Sequence, residues 1–266
     1  MPIERTKLIQ HIERIAPPER ALDWDNNGIQ VNVGNADIKR ILVALDVTKA
    51  VTDEARSIGA DFILAHHPLI FIPKLNSVDE SSVVGARITE LVRAGISVYA
   101  AHTSFDVAYG GNNDYLCELL ELQKIRRVAP DDASGDNIIG KIGNLTREMT
   151  LAEVCDLLRK RLCTDRRLPA VGDPSARILK VGLCTGGGGD QIEAFARNGC
   201  SLYITGDVRH HEALLAAEKG ICLIDAGHFE TEWIFVRNFA EKLRTAVGDI
   251  AEIYESKRGL RPFNYL

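Results

Sequence analysis

Basic charge is in deficit in this 266-residue chain, with 32 lysines and arginines against 37 acidic residues, a net charge of -5 and a pI near 5.8. No global positive field is available to gather DNA, RNA or an anionic membrane surface. Basic clusters occur only locally, at Lys124-Ile125-Arg126-Arg127 and from Arg159 to Arg167, where they read as the solvated face of a helix or loop. Six cysteines (Cys117, Cys155, Cys163, Cys184, Cys200, Cys222) are scattered, and no two have the C-x-x-C spacing of a zinc knuckle or redox motif. They are expected as buried thiols of a reducing compartment. Long apolar runs are missing too, and Met1-Pro2-Ile3-Glu4-Arg5 has no cationic-then-apolar signal pattern, so a cytoplasmic location is expected, with no membrane span and no nucleic-acid partner.

What is present is 45% apolar composition, enough to bury a core in one large or two modest domains. Leu8, Ile12 and Ile15 share one face of an amphipathic helix that Pro17-Pro18 stops. Asp25-Asn26-Asn27-Gly28 is turn chemistry before a short strand at 29–33. Strands near 41–46, 62–65 and 97–101 then alternate with helices near 48–58 and 83–94, a βαβαβ order whose short apolar strands suit burial on both faces. The polar stretch from Arg126 to Asp136 interrupts it, followed by a strand at 138–145 and a helix opening on the capping box Thr150-x-x-Glu153. The order then returns, with strands near 177–184, 201–205 and 221–225 and helices near 190–198 and 208–219.

The expected fold is α/β: two similar lobes from an internal duplication, each a sheet flanked by helices. The first lobe spans 1–127 and is completed by 228–266; the second spans 128–227. The two halves align best after their third strands, where His102-Thr-Ser-Phe-Asp106 answers His228-Phe-Glu-Thr-Glu232, each a histidine followed four residues later by a carboxylate.

His66-His67 follows a strand, at the edge where open α/β sheets bind ligands, and neighbouring side chains on an extended segment diverge, which suits two metals better than one. Alone, the pair reads rather as a solvated or core-satisfied histidine pair. His228-x-x-x-Glu232 fits one helical face, with a helix from Thr231 to Leu243, or an ordinary helix start; Asp106 fits a ligand or a loop turn. Their common position at strand ends favours a shared centre. Three imidazoles and two carboxylates are too few to close two structural sites, so water completes the coordination, as in an open hydrolytic centre. Zinc, iron and manganese all suit such donors. His102 is the candidate proton donor, with orienting and structural roles also open. His210 and His211 read as helix-surface residues, and His11 as having no chemical role. Thr185-Gly186-Gly187-Gly188-Gly189-Asp190 reads either as a phosphate cradle or as a tight strand-to-helix turn.

These residues resemble the NIF-three-like family, also called the GTP cyclohydrolase 1 type 2 or YbgI-like family, along essentially the whole chain. The resemblance lies in Trp24-Asp25-Asn26-Asn27-Gly28, Ala65-His66-His67-Pro68, His102 to Asp106 with Gly110-Gly111-Asn112, Gly206-Asp207, Asp225 to Glu232 and Pro262-Phe263. It implies two divalent ions per chain, His66 and Asp106 on one, His67 and His228 on the other, and Glu232 bridging. It also implies a toroidal homohexamer and hydrolysis of GTP to 7,8-dihydroneopterin triphosphate and formate. A different dinuclear hydrolase, acting on phosphoesters or amides, and a non-catalytic metal-binding regulatory protein remain open alternatives.

Overall fold

In the computed structural model, residues 2–71, 75–128 and 139–263 are described. The chain divides into two compact units, the first Met1–Gly111 with Phe235–Asn264, the second Asn112–Ile234. The first division therefore falls at Gly111 and not near 127, and the second falls after Glu232, so that His228 and Glu232 belong to the second unit and not to the segment completing the first. Part of the polar stretch that suggested the boundary, at 129–138, lies outside the described residues, as does the start of the strand expected at 138.

The first unit is built on three consecutive parallel strands, Arg40–Ala44, Phe62–Ala65 and Ser97–Ala100, joined through helices Lys49–Ser57 and Val83–Ala94. Both faces of these strands are covered, which is why they read as unbroken apolar runs: Leu42, Ile63 and Val98 are fully buried. Thr48 and Ser82 cap the two helices by accepting from the amides of Val51 and Gly85, and Gly95 ends the second in a left-handed conformation. Glu252–Glu255 extends the sheet in parallel beside Arg40–Ala44, and Gly28–Val31 closes the other edge antiparallel to Ser97–Ala100. Ala44, Ala65 and Ala100 stand in register, so Asp46, His66, His67 and His102 all leave the sheet at its carboxyl edge.

The second unit repeats the plan. Arg177–Gly187, Leu202–Gly206 and Cys222–Asp225 are consecutive and parallel, and Ala170–Val171 precedes them in sequence and pairs antiparallel with the third, as Gly28–Val31 does in the first unit. That shared order is consistent with a duplication. The other edge differs: here Lys141–Thr150 pairs antiparallel with Arg177–Gly187, and Gln123–Arg127 lies outside it. The basic cluster at 124–127 is thus an exposed edge strand rather than part of a helix or loop, a placement in which charge discourages edge-to-edge pairing. The expected capping box is formed in full, Thr150 and Glu153 each accepting from the other's amide at 3.2 and 2.6 Å.

Two further expectations are corrected. The six cysteines are free, but only Cys117, Cys184 and Cys200 are buried, and Cys163 is exposed in a left-handed turn at φ 51°. Arg166 is not on a solvated face; its guanidinium is buried near the carboxylates of Asp225 and Glu230, at 3.8 and 3.6 Å. Among the described residues no helix is long and apolar enough to cross a membrane.

The second sheet is tightly packed at Gly182, where an added Cβ would meet Phe195 Cδ1 at 2.2 Å. Phe195 cannot retreat, because it is fully buried and stacks on Tyr203 with ring centroids 4.2 Å apart. Gly182→Ala should therefore destabilise the second unit by about 1–3 kcal/mol, the usual range for overpacking. Urea denaturation followed by circular dichroism measures it, and an unchanged midpoint would show that the Phe195–Tyr203 stack yields easily.

Candidate metal centre

Within the first unit, the strand carrying the histidine pair lies between the other two parallel strands, and the pair uses that position. The His66 amide donates to Ala44 O at 3.1 Å and that of His67 to Leu45 O at 2.9 Å, continuing the ladder beyond the strand. The rings then reach to opposite neighbours. His66 Nδ1 meets Ala101 O at 2.9 Å, on the side of Ser97–Ala100, and His67 Nδ1 meets Asp46 Oδ1 at 2.8 Å, on the side of Arg40–Ala44. This is the divergence expected of adjacent residues on an extended chain, although the ring centroids are only 5.1 Å apart.

A carbonyl or carboxylate at Nδ1 can only accept, so the ring proton resides on that nitrogen and the lone pair lies on Nε2. For His66 that nitrogen is 3.7 Å from Asp106 Oδ2. Two ligands bonded to one ion at about 2.1 Å and a tetrahedral angle stand roughly 3.4 Å apart, so the pair has the separation of atoms sharing an ion. Asp106 was expected in a loop; it ends a one-turn helix, Thr103–Asp106, with its amide donating to His102 O at 3.2 Å. That turn swings its carboxylate back over the strand end.

His102 precedes the turn, and Trp24-Asp25-Asn26-Asn27-Gly28 holds it. Its Nδ1 donates to Asp25 Oδ1 at 2.8 Å and its amide to Asn27 Oδ1 at 2.8 Å, while the Thr103 amide donates to Asp25 Oδ2 and the Ser104 hydroxyl to Asn27 Oδ1. Burial works against the Asp25 charge, but hydrogen bonding and attraction from His102, with the Thr103 bonds, outweigh it and hold the carboxyl well below the usual range. His66, His67 and His102 bring a ring nitrogen each within 4.8 Å of one another.

The second unit carries a histidine–carboxylate pair of its own. His228 and Glu232 begin and end the helix His228–Glu232, and one turn sets Nε2 2.8 Å from Glu232 Oε2. The helix expected from Thr231 is thus two pieces, with Ile234–Val247 following. His228 Nδ1 meets Asp207 Oδ2 at 2.7 Å, as Nδ1 of the other two rings meets its acceptor, and Nε2 is the nitrogen that faces Glu232. Gly206-Asp207 explains itself here: a Cβ on Gly206 would come 2.5 Å from the His228 amide nitrogen, and Asp207, in a left-handed conformation at φ 53°, aims its carboxylate at the ring.

The glycine run serves close approach. Gly186 has φ +68° and a Cβ there would lie 2.0 Å from Glu232 Oε1; one on Gly188 would meet Tyr203 OH at 2.6 Å, and one on Gly189 would meet Glu212 Oε2 at 2.1 Å. The amides of Thr185 and Gly186 already donate to Asn113 Oδ1 and Thr231 Oγ1, each at 3.0 Å. The run is therefore a turn that admits side chains, and the phosphate cradle has no support from these two amides. His210 and His211 open the helix His210–Lys219 and are exposed, as expected of surface histidines.

What the sequence reading missed is the shell behind the candidate ligands. Asp46 was passed over as a strand end, and Asp25 and Asp207 appeared only within larger motifs. For Asp46 and Asp207 the usable signal was an aspartate one or two residues after the neighbouring parallel strand; Asp25 lies in a turn before an edge strand and carried no such signal.

Comparison with known proteins agrees with these features. The model of Duf34/NIF3 (NGG1p interacting factor 3) matches residues 3–258. The GTP cyclohydrolase 1 type 2 homolog of Clostridium perfringens (strain 13 / Type A) is 34% identical over 97% of this chain and 98% of its own length. The protein of the same name from Clostridium acetobutylicum is 32% identical over the full length of both. A crystal structure of a Bacillus cereus protein related to NIF3 superposes with a TM-score of 0.92 at 25% identity, covering 100% of this chain and 99% of that one. With the match running from before the first helix to beyond the last strand, the chain belongs to the Duf34/NIF3 family.

Proposed function

We propose that this protein is a metal-dependent hydrolase holding two divalent ions, of zinc, iron or manganese, with His66 and Asp106 on one, His67 and His228 on the other, and Glu232 shared. The observation that carries the reading is the common treatment of the three imidazoles: each Nδ1 is engaged by a backbone carbonyl or an aspartate, which leaves Nε2 as the ligand atom. Carboxylate–histidine pairs of this kind fix ring orientation and raise ligand basicity, and a merely structural histidine has no need of them. The names of the clostridial relatives point to GTP as substrate, and the family resemblance implies that water is consumed and formate and 7,8-dihydroneopterin triphosphate are released.

When bound, the ions would polarise a substrate oxygen or nitrogen and activate water. The chain's own contribution at His102 is a proton at Nε2. Asp25 accepts from Nδ1 whether the ring is neutral or charged, so Nε2 is the position that gains and loses a proton, and it delivers that proton to the nitrogen leaving the opened ring. A non-catalytic role finds support in the family description as an interacting factor, and it predicts a stable metal-loaded particle with no turnover. The family resemblance also supports a homohexamer as the working assembly, which light scattering of the purified protein tests.

Elemental analysis of protein prepared without chelators should find about two transition-metal ions per chain. Glu232→Gln should lower occupancy at both positions, whereas His66→Ala should empty one preferentially. Gly186→Ala should behave like Glu232→Gln, because the new methyl displaces the carboxylate. Retention of both ions at wild-type affinity in Glu232→Gln would assign the bridge elsewhere.

Incubation with GTP should release formate and a pterin that becomes fluorescent on oxidation, and chelation should abolish both. His102→Asn should reduce kcat by roughly 100-fold or more while leaving metal content intact, the usual loss for a positioned general acid. Loss of metal in that variant would make His102 a ligand, and absence of turnover in the fully metallated wild type would favour the non-catalytic reading.

A further inference from the structure

Large aromatic side chains left in solvent are costly, and two stand beside the histidine cluster of the first unit. Trp24 and Phe71 are each 58% exposed, yet their rings touch each other and both touch His102. The three centroids form a nearly equilateral triangle, with sides of 6.2, 5.9 and 6.2 Å. The interplanar angles are 66°, 73° and 69°. Each edge-to-face contact sets one ring's edge against one face of the other and leaves the opposite face uncovered, and Trp24 and Phe71 keep 58% of their surface exposed. An open aromatic face accepts another flat π system, which stacks with little demand on its hydrogen-bonding pattern.

The arrangement is built rather than incidental. Trp24 and Phe71 lie on separate segments, and side chains next to them in sequence fasten those segments together. Asn26 Nδ2 donates to Ile70 O, Gln30 Oε1 accepts from the Ile70 amide at 3.1 Å, and Gln30 Nε2 donates to Asn26 O at 2.8 Å. The backbone just before Phe71 is thus latched, through both its amide and its carbonyl, to the turn that carries Trp24. Behind Trp24, Asp25 holds His102 in place. A ring laid on the platform would have its edge toward the His102 imidazole, and His66 and His67 lie next to that, with ring centroids 5.2 and 5.5 Å from it.

We infer that Trp24 and Phe71 form a stacking platform that binds a planar heteroaromatic ring of the substrate and presents its edge to His102. This rests on the proposed hydrolytic site and names the substrate feature it reads: the ring, by its face, in a chain whose sequence shows no motif for reading a base by its hydrogen-bonding edge. Trp24 and Phe71 are positioning residues; the proton still moves at His102.

The chain has two tryptophans, so Trp233→Phe leaves Trp24 as the single reporter. With this variant fully metal-loaded, guanosine should quench Trp24 emission saturably, whereas ribose 5-phosphate and tripolyphosphate, which lack a flat ring, should not. By calorimetry on the otherwise wild-type protein, Trp24→Ala or Phe71→Ala should weaken guanosine binding by roughly 5- to 150-fold, the range for losing one stacked base. Trp24→Tyr should restore most of it, and metal content should not change. Asn26→Ala, which frees the latch without touching a ring, should weaken guanosine binding by a smaller factor.

The inference is overturned if guanosine, adenosine and uridine all leave Trp24 emission unchanged in metal-loaded protein. It is equally overturned if Trp24→Ala lowers the mass of the assembly and leaves guanosine affinity intact, since the platform would then be a contact between copies. The two readings fail separately. Saturable quenching by nucleosides with no formate release upholds the platform and sinks GTP hydrolysis; formate release with an unaltered KM in Trp24→Ala does the reverse.

Discussion

A histidine ring that leaves a strand end can rotate about two bonds, and nothing in the strand itself decides which nitrogen faces a ligand. In this protein the decision is made by a hydrogen bond to Nδ1. His66 is held by a carbonyl, and His67, His102 and His228 by Asp46, Asp25 and Asp207. The acceptors for His66, His67 and His228 lie just past neighbouring parallel strands, so the sheet register sets the ring as well as the backbone. A parallel sheet is suited to this, because consecutive strands deliver their carboxyl ends to one edge. The apolar burial of Ile41 to Ala44 and Phe62 to Ala65 therefore reaches the site directly: a slip by one residue would turn each imidazole to the other face.

Room for the second unit's carboxylate is made by subtraction. Glu232 is 3% exposed and lies where any side chain on residue 186 would put its first carbon. Gly186 holds the conformation at φ +68°, its amide donates to Thr231 Oγ1, and its carbonyl accepts from Thr205 Oγ1. That hydroxyl of Thr231 also donates to Gly227 O, one residue before His228. The glycine turn and the helix bearing the ligand pair are thus one hydrogen-bonded unit. A flexible-looking sequence, four glycines in succession, is in place one of the more constrained segments of the unit.

This also marks where sequence reasoning succeeded and stopped. The parallel strands, the capping box at Thr150 and the positions of His66, His67, His228 and Glu232 at strand ends were legible, because period, cap chemistry and i,i+4 spacing are local signals. Asp106 was legible as a residue but not as part of a helix, since four residues are too few to show a period. Gln123–Arg127 was missed as a strand because it lacks an apolar face, all five of its residues being exposed, and Glu252–Glu255 because four residues are too few to show a period. Arg166 was misread for a related reason. A run of arginines looks solvated unless its buried partners, Asp225 and Glu230, are known, and they lie far along the chain.

The motif Trp24-Asp25-Asn26-Asn27-Gly28 joins these themes, since every residue in it has a different duty. Asp25 and Asn27 fasten the His102 turn, Asn26 latches the segment bearing Phe71, and Gly28, at φ +100°, lets the chain leave for the edge strand Gly28–Val31. Among the described residues Trp24 has no side-chain hydrogen-bond partner, and within the motif it is the residue left exposed. Its neighbours spend their polar groups holding one histidine and one phenylalanine against it. Because the Asp25 carboxyl is held well below the usual carboxylate range, it remains a charged acceptor for His102 Nδ1. The bond at Nδ1 fixes the ring in the motif, which keeps Nε2 at one place relative to the Trp24 face.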